Sequence, residues 1–236
     1  TAMLLALCSG AGLVAVGEIG ARQVLIWMQT PAAVLDLAAL YLRIFFLGMP
    51  AMMLYNFGAA LLRAKGDTQR PLYFLLLAGA VNVALNLLLV IQFQMDVAGV
   101  AIATVVSQCI SAALVTACLM RETGGFRLEL RALRIHGDQM KGILRVGLPA
   151  GVQGVIFSLS NVVIQSSINS LGEVVMAGSA ASANIEGFVY IAMNAVYQAT
   201  MSFTSQSMGA GRLDRVDRIT LTGQAFVIAT GLVLGI

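Results

Sequence analysis

Charge is what this chain has least of. Only 11% of its 236 residues are Asp, Glu, Lys or Arg, where a soluble domain carries about 25%. Too few polar side chains exist to coat a buried core of this size, so a soluble all-helical domain does not fit. Histidine occurs once, as His136, and Cys8, Cys109 and Cys118 lie far apart in apolar surroundings without a C-x-x-C pair. That pattern supports neither a disulfide framework nor a zinc site. The phosphate-cradling glycine loop, the nucleophile elbow and the His/Asp pair are also missing, which argues against an enzyme. The opening run "TAMLLALCSGAGLVAVGEIG" has no basic start and is too long for a signal h-region, so a cleaved targeting peptide is not expected.

What the chain has is hydrocarbon: 59% of residues are hydrophobic and mean hydropathy is +0.89. The net charge of +3 comes from short separated clusters and not from one broad basic face, which excludes a nucleic-acid partner and leaves the lipid bilayer. A membrane span needs about 20 apolar residues. Seven segments approach that length: 2–27, 37–62, 72–92, 97–120, 143–169, 178–207 and 219–236. The fold class read from this pattern is an all-α polytopic transmembrane bundle.

Turn signals separate the segments, and the basic residues fall in alternate connectors. Arg63, Lys65 and Arg70 occupy one, Arg121 to Arg145 the next but one, and Arg212, Arg215 and Arg218 the next but one again. By the positive-inside rule these three face the cytoplasm, so residue 1 is expected inside and residue 236 outside, in a multi-pass protein of the inner (plasma) membrane. In "LLRAKGDTQRPLYF", Gly66 and Asp67 are expected to make a turn, with Pro71 in the first turn of the next helix. Gly48 with Pro50, and Gly147, Pro149, Gly151 and Gly154, are expected to permit bends or close helix approach.

The connector at 121–142 places Phe126, Leu130, Leu133 and Gly137 or Met140 at helical spacing among arginines, which predicts a short basic amphipathic helix on the inner surface. It divides the chain into 1–120, with four spans, and 143–236, with three. The apolar start at Thr1 and the uncapped stop at Ile236 suggest an interior piece of a longer chain.

One acid, Glu186, lies well inside an apolar segment. At that depth an acid costs on the order of 2.5–3.5 kcal/mol to insert unless it faces protein or water. Ser182, Glu186, Tyr190 and Asn194 follow at i, i+4 spacing, with Tyr197 and Gln198 beside them, so one polar stripe runs down the helix. The preceding span aligns Gln153, Asn161, Gln165 and Asn169, and earlier spans align Asn82 with Asn86 and Thr104 with Gln108 and Ser111. For the earlier pairs, hydrogen bonding between helices is the favoured reading, at about 0.6 kcal/mol per bond. For Glu186, Tyr190 and Asn194 it is a water-filled cavity, in which a carboxyl exchanges protons or pairs with a cation and the tyrosines offer it an aromatic face. Candidate substrate- and ion-binding residues are thus Glu186, Tyr190, Asn194, Tyr197, Asn161 and Gln165, with Asn82, Asn86 and Gln108 in the first half.

Four stretches carry a family resemblance: "YLRIFFLGMPAMMLYNFGAALLRAKGDTQRPLY", "VNVALNLLLV" followed by "VAGVAIATVVSQ", "LRVGLPAGVQ", and "SQSMGAGRLDRVDR". In order and spacing they resemble the middle of a MATE (multidrug and toxic compound extrusion) exporter of the MOP superfamily. The resemblance implies two six-helix lobes, of which this chain corresponds to helices three to nine, so its partners include the missing helices. It also implies a secondary antiporter exporting a small amphipathic, cationic compound by alternating access, with H+ or Na+ as coupling ion and no other cofactor. Such exporters couple through acids in helices one, seven and ten, yet the segment matching helix seven, "GLPAGVQGVIFSLSNVVIQ", holds none. The alternatives are a lipid-linked or polysaccharide flippase of the same superfamily and a non-transporting membrane scaffold.

Overall fold

In a bilayer the backbone must satisfy its own hydrogen bonds, and a long apolar segment does so as a helix. The computed structural model describes residues 1–27, 32–129, 132–169 and 173–234, and every regular element among them is helical. The helices are α1 (Ala2–Trp27), α2 (Ala32–Leu47), α3 (Met49–Lys65), α4 (Gln69–Asn86, continued by a π-helical turn over Leu87–Gln92), α5 (Asp96–Arg121), α6 (Gly137–Asn169), α7 (Glu173–Gly209) and α8 (Leu213–Leu234). The expected segment 37–62 is two helices, α2 and α3, bent by 44°. Gly48 and Pro50 cause the bend: proline is tolerated in the first turn of α3, where its absent N–H has no partner to lose. A Cβ at Gly48 would stand 2.8 Å from the Gln108 side-chain oxygen, so glycine also lets α5 approach the bend.

Among the described residues, four helices reach the length and hydropathy of a span: α1, α4 with its π turn, α5 and the 25 residues from Gly137 to Asn161. The bent α2–α3 pair makes a fifth if it crosses as one. The expected segments 178–207 and 219–236 extend into positions whose side chains lie outside the described residues, residues 235 and 236 among them.

Two compact units divide the chain, Thr1–Met140 and Lys141–Ile236. In the first, α1 packs on α2 and α3, and α5 on α2, α3 and α4. Small residues let the backbones close: Ala6, Ala59, Ala101, Ala103 and Ala112 are buried. Met3, Leu62, Val115 and Leu119 form a hydrophobic cluster within the core, at the end of the unit that also holds the α3–α4 hairpin.

The hairpin forms as its residues require. Gly66 takes φ +96°, its N–H reaches the Arg63 carbonyl at 2.9 Å, and the Asp67 N–H reaches that of Leu62 at 3.0 Å, a left-handed helix stop that strongly favours glycine. Asp67 Oδ1 then accepts the Arg70 N–H at 3.1 Å, capping α4. Tyr55 Oη donates to the Pro71 carbonyl at 3.0 Å, which ties α4 back to α3.

The amphipathic helix expected in the connector is absent from its described residues. A 3-10 turn at Gly124–Phe126 is followed by extended chain and one further 3-10 residue, Ala132, while Leu130 lies outside the described residues. The reason is local. The Leu128 N–H bonds to the Leu119 carbonyl at 2.9 Å, and Leu128 and Leu133 pack against the Leu62–Leu119 core, so these two leucines turn into the protein while Phe126 stays exposed. Thr1 Oγ1 donates to the Arg134 carbonyl at 3.1 Å, which places the start of α1 at the same end as the connector.

In the second unit α7 packs on α8, with Gly223 fitted against Thr200. The turn between them repeats the hairpin's chemistry: Gly211 has φ +69° and the Arg212 N–H reaches the Ser207 carbonyl at 2.9 Å. α6 runs through Pro149 without a break, and nothing lies within 4 Å of a Cβ built at Gly147, Gly151 or Gly154. The close approach expected at those glycines is therefore not made within the described residues.

Candidate substrate and ion site

The stripe on α7 forms as its spacing requires. Glu186, Tyr190, Asn194 and Tyr197 lie along one side of the helix with exposed side chains. The α7 residues in the groove against α8 are Ala195, Val196, Ala199, Thr200 and Phe203. At 100° per residue these centre more than about 120° around the helix from the stripe. Packing of α7 on α8 therefore leaves the polar side of α7 unspent, and the Glu186 carboxylate has no ion pair among the described residues. Asn161 is exposed on α6, while the side chain of Gln165 lies outside the described residues.

In the first unit the polar pair behaves as a tie between helices. Asn86 Nδ2 donates to Asn82 Oδ1 at 3.0 Å, Asn82 Nδ2 donates to Ser107 Oγ at 3.4 Å, and Ser107 Oγ donates to the Thr104 carbonyl at 2.8 Å. This chain links α4 to α5. Asn86 Oδ1 is buried and accepts no hydrogen bond among the described residues, so it is an open acceptor. Gln108 does not join this set, since its side chain lies toward Gly48 at the α2–α3 bend.

The strongest electrostatic feature is one the sequence pattern did not single out. Glu122 follows the last residue of α5, and its side chain is only 6% exposed. Both carboxylate oxygens are used, one accepting from Lys65 Nζ and the other from Arg70 Nη1. Arg70 also pairs with Asp67 at 3.1 Å and approaches Cys118 Sγ at 3.4 Å. The charged hairpin is thus clamped to the end of α5 across 57 residues of sequence. An acid directly after a span, opposite a basic hairpin, is the only signal that would have found it.

Hydrogen bonding from Lys65, joined by Arg70, holds the Glu122 carboxyl below its ordinary value of 4.5, outweighing the upward pull of burial. A depressed carboxylate stabilises the fold above its unfolded value and loses that contribution as pH falls through its folded value. Melting temperature of the wild type should therefore fall as pH is lowered from 5 through and below about 4.5. Glu122→Gln should melt lower at pH 7 and show a flatter profile in that window.

The MatE family model matches residues 1–88 and 149–236, stretches that fall in both units. The chain belongs to the MATE family. Relatives of this transporter family include "Probable multidrug resistance protein YoeA" of Bacillus subtilis (strain 168), 28% identical over 221 residues, covering 91% of this chain and 48% of the relative. The "FAD transporter" of Shewanella oneidensis is 26% identical and covers 96% and 51%. Among solved structures, a MOP superfamily transporter from Pyrococcus furiosus superposes with a TM-score of 0.90 at 21% identity, over 98% of this chain and 52% of that one. The MATE chain described here spans about half the length of the relatives it matches.

Proposed function

We propose that this chain is the central part of a secondary active efflux transporter of the inner membrane, exporting small amphipathic cations by alternating access against H+ or Na+. The observation that carries the reading is the polar side of α7. Glu186, kept off the α7–α8 interface and followed by Tyr190, Asn194 and Tyr197, supports the reading of a wet cavity lined by that side of α7 in the complete protein. Glu186 supplies the exchangeable charge, and the tyrosine rings supply a face for a cation. Asn161 and Gln165 of α6, in the same unit, supply further hydrogen-bonding groups, while Asn82, Asn86 and Gln108 form a separate polar set in the first unit, where Asn86 Oδ1 is an open acceptor.

In liposomes containing the full-length protein, Glu186→Gln should cut the initial rate of gradient-driven uptake of a cationic dye to below half of wild type. Dye transport at the wild-type rate by a correctly folded variant would overturn the role given to Glu186.

A further inference from the structure

A cleft of about 600 Å³ opens beside the Glu122 clamp, between the basic ends of α4 and α5. Its lining has two halves. Lys65, Arg70, Arg121 and Glu122 supply the charges, three cations against one carboxylate, for a net +2. Phe74, Leu114 and Ala117 supply an apolar wall one to two turns deeper along the same helices.

The clamp does not exhaust the cations. Glu122 takes one donor from an ammonium that has three and one from a guanidinium that has five. The Arg70 side chain remains 53% exposed. Arg121 has no ion pair among the described residues. Glu122 thus holds Lys65 and Arg70 in place while the cleft keeps its excess positive charge.

We propose that this cleft binds an anionic phospholipid, with the phosphate on Arg121 and Arg70 and the upper acyl chain on Phe74, Leu114 and Ala117. Three features of the site choose lipid over a soluble anion. Charge and apolar surface are stacked along the helix axis in the order in which headgroup and chain are stacked in a leaflet. The cations lie at the end of the unit that carries the basic hairpin and connector, where the positive-inside pattern places the inner leaflet. Basic clefts between helix ends on that side suit anionic headgroups.

The test uses the purified full-length transporter exchanged into vesicles of equimolar phosphatidylglycerol and phosphatidylcholine, with retained lipid counted by native mass spectrometry. Wild type should retain phosphatidylglycerol over phosphatidylcholine. Arg121→Ala, which leaves the Glu122 clamp intact, should weaken that retention about fivefold, the worth of one cation at a membrane surface. Ala117→Asp, which sets an acid against the phosphate and interrupts the acyl seat, should weaken it at least as much. Equal retention of the two lipids, or unchanged phosphatidylglycerol retention in both variants, overturns the proposal. Displacement of the lipid by excess inorganic phosphate also overturns it, because the site would then take a soluble anion.

Discussion

Gly10→Val should leave α1 unable to seat on α3. A Cβ at position 10 would stand 2.5 Å from Pro50 Cα and 3.0 Å from Pro50 N, both backbone atoms just past the α2–α3 bend. A clash with a flexible side chain relaxes by rotation, but this one moves only if one helix shifts as a body. Lipid offers no hydrophobic gain for re-forming the contact at larger separation, since α1 is equally apolar in hydrocarbon. Overpacking of this kind costs about 3 kcal/mol, the upper part of its usual range. Unfolding of the full-length protein in mixed micelles should register that loss. Gly12→Val is the internal control: nothing lies within 4 Å of its Cβ, and its stability should stay within about 0.5 kcal/mol of wild type. Equal behaviour of the two variants would mean that α1 does not pack on the bend as described.

Leu62→Ala should produce the second large loss. Leu62 is 0% exposed and joins Met3, Val115 and Leu119 in the core of the first unit. Gly58, one turn earlier, brings α3 so close to α5 that its Cβ would meet Val115 at 2.9 Å, so the region has no slack to collapse into a void. In water, truncating such a leucine costs about 2–5 kcal/mol, from lost transfer energy plus the cavity. In a bilayer the unpacked side chain rests in hydrocarbon, which removes most of the transfer contribution. About 2 kcal/mol of lost packing is therefore expected, measured in the same unfolding experiment. Leu76→Ala, on the exposed face of α4 at 61% exposure, should change stability little. A loss at Leu76 equal to that at Leu62 would contradict the burial of Leu62.

Several local features were legible because their causes are local. Gly66 and Asp67 make their turn through a left-handed φ and a cap within three residues, and Gly48 with Pro50 bends its segment through a missing N–H and a missing Cβ. The Asn82–Asn86 hydrogen bond follows from i, i+4 spacing alone. The connector shows where local reading fails. Leu133 fits the amphipathic pattern, but α3 and α5 offer it and Leu128 a core that helical spacing cannot reveal, and the backbone extends to reach it.

Composition and pattern by themselves determined that this protein is a helical membrane chain, where its helices turn, and that α7 carries one polar side, while the order of its motifs pointed to the MATE family. These follow from hydropathy, short-range geometry and motif order, all of which operate along the chain. Only the tertiary structure decided which glycines are contact points, that the connector folds inward, that the polar side of α7 is left free by α8, and that Glu122 gathers Lys65 and Arg70. Those are encounters between residues tens of positions apart. Their energies depend on distance and burial in three dimensions, which no period in the sequence encodes.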